Sequence, residues 1–184
     1  MITDLVTAEL QLEIATVDGE IRCNPADDII KVAAVDRRHT PGKTATGLIK
    51  GFGLRAGAFA CSAGWDSSDI VVVGASEADM AAAVNRIRDL QGGAVVVKDG
   101  LLLAEIPMPI FGLMSPEPVE RLVEQLDRLK KTLQSLGVNF PDPLLTLITL
   151  TGAAIPYLRI CEEGLVNLKH GRTVGFFVES APAE

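Results

Sequence analysis

Two short stretches concentrate the residue types that do chemistry. In "VDRRHTPGK" (35–43), Asp36, Arg37, Arg38, His39 and Lys43 crowd the end of an expected strand, where loops commonly carry sites. In "GWDSSD" (64–69), Asp66 and Asp69 could serve as a general base or metal ligands, and Ser67 and Ser68 as hydrogen-bond donors. Trp65 could stack on a planar ligand such as a base. Each stretch also has a plainer reading. The first could be a solvated, ion-paired loop. The second could be a turn in which Asp and Ser bond nearby backbone while Trp65 covers a core edge. Neither contains a Cys–His or Ser–His–Asp order.

Other signals are weaker. "PGKT" (41–44) resembles the end of a phosphate loop, but the Gly that the pattern needs at position 37 is Arg37. "GFGLRAG" (51–57) departs from the dinucleotide spacing and leads into no helix, so its glycines mark a bend or close backbone packing. His39 and His170 are the only histidines, few for a metal centre of three protein ligands. Cys23, Cys61 and Cys161 are far apart and form no C-x-x-C pair, which fits buried thiols in a reducing cytoplasm.

These loops need elements to position them. "ELQLEIATVDGEIRC" alternates Leu10, Leu12 and Ile14, then turns at Asp18-Gly19, a hairpin signal. "DIIKVAAV", "TATGLIKGFGL", "GAFACSA" and "DIVVVGA" read as further strands, the second and third joined near Arg55-Ala56-Gly57. A helix starts at Ser76, with Asp79 completing a capping box, and buries Met80, Ala83, Val84, Ile87 and Leu90 before Gly92-Gly93. "AVVVKDGLLLAEIP" gives a second hairpin at Asp99-Gly100. "SPEPVERLVEQLDRLKKTLQSLG" predicts a helix capped by Ser115 and stopped by Gly137. Its buried stripe is Val119, Leu122, Val123, Leu126, Leu129, Leu133 and Leu136. Glu117–Arg121, Glu124–Arg128 and Asp127–Lys131 are i,i+4 pairs on the wet side. "DPLLTLITL" suits a short helix or a strand, "GLVNLKHGRTVGFFVE" a closing strand or hairpin, and "SAPAE" a frayed tail. The expected architecture is one domain over 1–184, an α/β fold of the α+β type. A mixed, largely antiparallel sheet carries two main helices packed on a face.

Composition narrows the function classes. The chain has 184 residues, 48% of them apolar but only 4% aromatic, so the core must be aliphatic. A formal net charge of −7 argues against a nucleic-acid partner, because phosphate binding needs clustered Lys and Arg. No apolar run reaches membrane-spanning length, so no membrane partner is expected. "MITDLVTAEL" lacks the basic and apolar regions of a signal peptide, which again suits a cytoplasmic protein.

Most of the chain, from about Asp18 to Val178, resembles the C-terminal domain of bacterial and archaeal adenine deaminases of the amidohydrolase superfamily. The resemblance is carried by "IKGFGL", the strand into "DIVVVG", "VVVKDG", "IFGLMS", "DPLLTLITL", "IPYLRI" and "EEGLVNL". It implies a part in converting adenine and water to hypoxanthine and ammonia. In that family a divalent metal, manganese or iron, is held by a (β/α)8 barrel that precedes this domain and activates the attacking water. No stretch here resembles that barrel. The expectation is therefore no cofactor in this chain, Mn or Fe only with a partner barrel domain or subunit, and no turnover alone.

The polar loops depart from the family's usual pattern. Histidines are usual where this chain has Trp65 and Ser68, Asn where it has Asp69, and Glu where it has Asp36. A histidine pair becomes Arg38 and His39, and "TGN" becomes Pro41-Gly42-Lys43. Asp66 and Ser67 keep the pattern. Strands and glycines match more closely, as in a retained scaffold with an altered site. Asp66, Ser67 and His39 would line the barrel side. The alternatives are a stand-alone binding or oligomerisation module, with a possible homo-oligomer, and a metal-dependent enzyme in its own right using Asp36, His39, Asp66 and Asp69.

Overall fold

The computed structural model describes residues 1–14, 16–67 and 69–177. Ser68 and the tail "SAPAE" lie outside the described residues. Eleven strands occur among the described residues. They are β1 (Thr16–Val17), β2 (Glu20–Ile21), β3 (Ile29–Val35), β4 (Thr44–Lys50), β5 (Ala58–Cys61), β6 (Ile70–Gly74), β7 (Gly93–Lys98), β8 (Leu101–Pro107), β9 (Leu158–Cys161), β10 (Gly164–Asn167) and β11 (Arg172–Val174). The helices are α1 (Glu77–Leu90), α2 (Val119–Ser135) and α3 (Pro143–Ile148). Strands β3 to β8 form one antiparallel sheet in the order β4-β3-β6-β5-β7-β8. Strands β9 to β11 make a small antiparallel sheet of their own. This is the α+β architecture expected.

The centre of the large sheet is buried on both faces. Every residue of β5 and β6 is buried, so alternation divides the side chains between two cores. Val71, Val73, Phe59 and Cys61 join Leu129, Leu133, Leu147 and Ile160 on one side. Ile70, Val72, Ala58 and Ala60 join Met80, Ala83 and Ile87 on the other. The helices therefore do not share a face: α1 covers one, while α2, α3 and the small sheet cover the opposite one. The core is mainly aliphatic, as expected, with Phe52 and Phe59 its largest members.

Both Asp-Gly hairpins form, with positive φ at Asp18 and Gly19 and at Asp99 and Gly100. The Leu10, Leu12 and Ile14 alternation is not strand, and Leu10 and Leu12 are exposed. Strands β4 and β5 are not neighbours, because β3 and β6 lie between them. The connecting "GFGL" bends instead. A Cβ at Gly53 would meet the Gly137 carbonyl at 2.8 Å, and one at Gly137 would meet the Gly53 carbonyl at 2.4 Å. That close approach seats the end of α2 against the sheet, with the Arg55 N–H on the Leu136 carbonyl at 2.9 Å.

Three helix details differ from expectation. Ser76 caps α1, accepting from the Asp79 N–H. Asp79 itself reaches across to the β7–β8 turn and accepts from the N–H groups of Asp99 and Gly100 at 3.2 and 2.8 Å. Helix α2 begins after Pro118, not at Ser115. A residue before proline is steered away from helical φ/ψ, so Glu117 cannot be helical, and Ser115 bonds only the Glu117 N–H. The α2 stripe is also split. Leu129, Leu133 and Leu136 are buried, whereas Val119 and Val123 are 66% and 60% exposed and Leu126 is exposed as well. Of the three expected ion pairs, Asp127–Lys131 forms. Arg121 turns instead to Glu124, and Arg128 donates to the Leu103 carbonyl.

The split stripe makes a direct test. Leu133→Ala should lower unfolding free energy by about 2–5 kcal/mol. Val123→Ala should change it by no more than about 0.5 kcal/mol. Urea denaturation of the two variants compares them, and equal losses would contradict this packing.

Candidate functional site

Strand register brings the two polar loops together. Val35 at the end of β3 pairs with Ile70 at the start of β6. The β3–β4 loop (36–43) and the β5–β6 loop (62–69) therefore leave the sheet at the same end. A third segment joins them. The β9–β10 turn, Glu162-Glu163, lies over this end. Its Glu162 N–H donates to the Asp69 carboxylate at 3.3 Å, and Glu163 pairs with Lys43.

Asp36 organises the first loop. It is 3% exposed, and its carboxylate accepts from the N–H groups of Arg38, His39 and Thr40 at 2.7, 2.9 and 2.5 Å. Its own N–H and carbonyl close the loop base with Lys43 and Gly42. The Arg38 and Thr40 N–H groups, with that of His39, hold the Asp36 carboxyl down at about 2. Arg38 and His39 are exposed beyond this turn. Lys43 is held above the ordinary lysine range by its bond to Glu163. The phosphate-loop reading of "PGKT" has no support here, since the segment links two strands.

Asp69 is 2% exposed and faces Glu162. Burial raises its pKa, and the Glu162 charge adds to the rise against a hydrogen bond from Ser67. Asp66 points elsewhere: its carboxylate accepts from the Ala153 N–H and so fastens the loop to the segment after α3. Trp65 is 66% exposed, so it does not cover a core edge. Ser67 is half-buried.

The best-converged set is Asp36, His39 and Glu162, whose potential ligand atoms all lie within 4.8 Å of one another. Sequence reasoning had named the first two. It missed Glu162, which lies 123 residues beyond His39. The only local signal was the acid pair in "CEEG", which reads equally well as a hairpin turn. Asp69 adjoins this set through Glu162, whereas Asp66 is outside it. His170 sits in the exposed β10–β11 turn, also outside it. The three cysteines are free, and burial pushes the Cys61 thiol up to about 12, which removes it as a nucleophile. Among the described residues no serine or cysteine is hydrogen-bonded to a histidine. The arrangement therefore offers a carboxylate–imidazole cluster and an exposed indole, not a nucleophile–base pair.

A further contact explains "IFGLMS". Arg37 donates to the Phe111 carbonyl at 2.8 Å and Ser62 to the Gly112 carbonyl at 2.7 Å, so that loop is anchored beside the same strand ends. Known proteins match most of this chain. The family model "Adenine deaminase C-terminal domain" matches residues 4–172. The chain belongs to this family. It is 41% identical over 171 residues to an adenine deaminase of Brucella melitensis biotype 1, covering 93% of this chain and 29% of the relative. It is 42% identical over 171 residues to one of Methylobacterium nodulans, covering 93% of this chain and 30% of the relative. An adenine deaminase of Clostridium botulinum strain Loch Maree is 35% identical over 173 residues, 94% of this chain and 29% of the relative. The chain thus spans about three-tenths of the length of these curated relatives, and an adenine deaminase C-terminal domain is what it contains.

The Asp36 turn makes stability depend on acid in a defined window. The folded pKa is about 2, against about 4 for an ordinary aspartate. Its contribution is present above about pH 4 and lost as pH falls toward about 2. Asp36→Asn should remove that part of the pH dependence. Urea midpoints from about pH 2.5 to about pH 5 measure it. A wild-type-minus-variant difference that stays flat across this range would remove the ionised-turn account.

Proposed function

We propose that this chain is the C-terminal part of an adenine deaminase-type hydrolase and works against a metal-holding (β/α)8 catalytic domain, in cis or in trans. The observation that carries the reading is the family match over residues 4–172, together with matches over 93–94% of this chain to proteins more than three times as long, all called adenine deaminase. In this reading the barrel supplies the manganese or iron that activates water, and adenine and water yield hypoxanthine and ammonia. This chain has two histidines, one of them outside the converged cluster, and does not offer the histidine-rich set such a centre needs. Its own role is to present the loop end of the sheet toward the barrel. Ser67 and His39 would line that side, Asp36, Asp66 and Asp69 would hold their loops in shape, and Trp65 would offer a face to a planar ring. A cytoplasmic place in purine metabolism goes with this proposal. Among the described residues, no helix is long and apolar enough to cross a membrane.

A second reading, an oligomerisation module, is favoured by one observation: the exposed Val119, Val123 and Leu126 on α2. Sedimentation separates the two. A stable homodimer of this chain, broken by Val123→Glu, would support the module.

Ammonia release from adenine with added Mn²⁺ tests the main proposal. The chain alone should give no turnover. A chimera carrying this chain in place of the C-terminal portion of the Brucella relative should deaminate adenine. A folded chimera without activity would sink the deaminase reading. Turnover by the chain alone, abolished by Asp66→Ala, would overturn the division of labour.

A further inference from the structure

We propose that Asp36, His39 and Glu162 bind one first-row divalent cation of the Mn²⁺-to-Zn²⁺ type on this domain itself. The proposal goes beyond the deaminase reading and needs only this chain.

The geometry of the three side chains suits a cation. Ligand atoms about 2.1 Å from a common metal are separated by about 3.0–4.2 Å in tetrahedral or octahedral sites. The atoms here lie within 4.8 Å of one another, so closing on a cation needs movements of about an ångström. His39 is exposed and Glu162 half-buried on a two-residue turn, so both side chains can make that movement. Asp36 supplies the fixed point. Its three backbone N–H bonds orient the carboxylate as an outer shell orients a metal ligand. Two of them fall on Oδ1 and one on Oδ2, which leaves Oδ2 a lone pair for a cation.

Acidic charge gathers at the same corner. Asp36 and Asp69 are 3% and 2% exposed, and Glu162 stands beside both. None of the salt bridges among the described residues involves any of the three; Lys43 pairs with Glu163 and acts on Asp36 and Glu162 only from beyond ion-pair distance. Buried charges are paired or coordinate metals, and these carboxylates make no ion pair among the described residues. The His39 imidazole makes no hydrogen bond to a described side chain or backbone group, although its own N–H is tied to Asp36. Its ring is therefore uncommitted and held at the cluster.

The donor set decides the class. One imidazole with two carboxylates suits borderline first-row ions, whereas Mg²⁺ and Ca²⁺ take oxygen donors alone. Water would complete the coordination. Such a cation would also clamp the β9–β10 turn to the end of β3, joining the small sheet to the large one.

The test is calorimetric titration of the chelator-treated full chain with MnCl2, ZnCl2 and CaCl2, with thermal melts in parallel. One equivalent of Mn²⁺ or Zn²⁺ should bind and raise Tm. His39→Ala and Glu162→Gln should each weaken binding at least about tenfold. Both positions are outside the core, and circular dichroism would verify that the variants fold. His170→Ala should bind as wild type does. Three outcomes would overturn the site: no saturable binding at millimolar metal, unchanged affinity in both variants, or Ca²⁺ binding as tightly as Zn²⁺. Because the assay contains no catalytic domain and no adenine, its failure leaves the chimera experiment untouched.

Discussion

The structure depends on burying the β5–β6 pair on both faces. "AFAC" and "IVVVG" have no polar side chain to show to water, so each face of the sheet must be covered. One cover is α1, whose Met80, Ala83 and Ile87 take the Ile70 and Val72 side. The other is built from α2, α3 and the small sheet, which together take the Val71 and Val73 side. Such two-sided burial in an antiparallel sheet departs from the common case, where one face stays wet. It explains why a chain with few aromatics still makes a full core.

The same pairing locates the candidate site. Register between β3 and β6 sets the DRRHTPGK and GWDSSD loops at one end. The small sheet, lying over one face, then brings its Glu162-Glu163 turn to that end. Charges at this corner are arranged in two ways. Asp36 is answered by backbone N–H groups, whereas Asp69 accepts from the Glu162 N–H while standing against that residue's carboxylate. The first arrangement shapes a loop. The second ties the turn of the small sheet to the β5–β6 loop.

Much of the fold was legible because its signals are local. The two Asp-Gly turns need positive φ at both central residues, and the chain offers residues that tolerate it. Ser76 caps α1 because its hydroxyl sits three residues before the Asp79 N–H. Local rules also misled. Ser115-Pro116 imitates a helix start, but Pro118 moves it three residues onward. Val119, Val123 and Leu126 have the right period for a core, yet only the far half of α2 lies over the sheet. Periodicity says which residues share a face, not how far the neighbouring element extends beneath it.

The site was half legible. Asp36 and His39 stood out because charge and imidazole crowd a strand end, and Asp69 because it precedes a buried strand. Sequence alone determined these element types, the aliphatic core and the family resemblance. Each rests on short-range spacing or residue-by-residue likeness. Only the tertiary structure decided that Asp66 is spent on the Ala153 N–H, that Trp65 stands in solvent, and that Glu162 closes the cluster. Those facts depend on strand order and on where a separate sheet lands, contacts between residues about a hundred positions apart. No local periodicity encodes them.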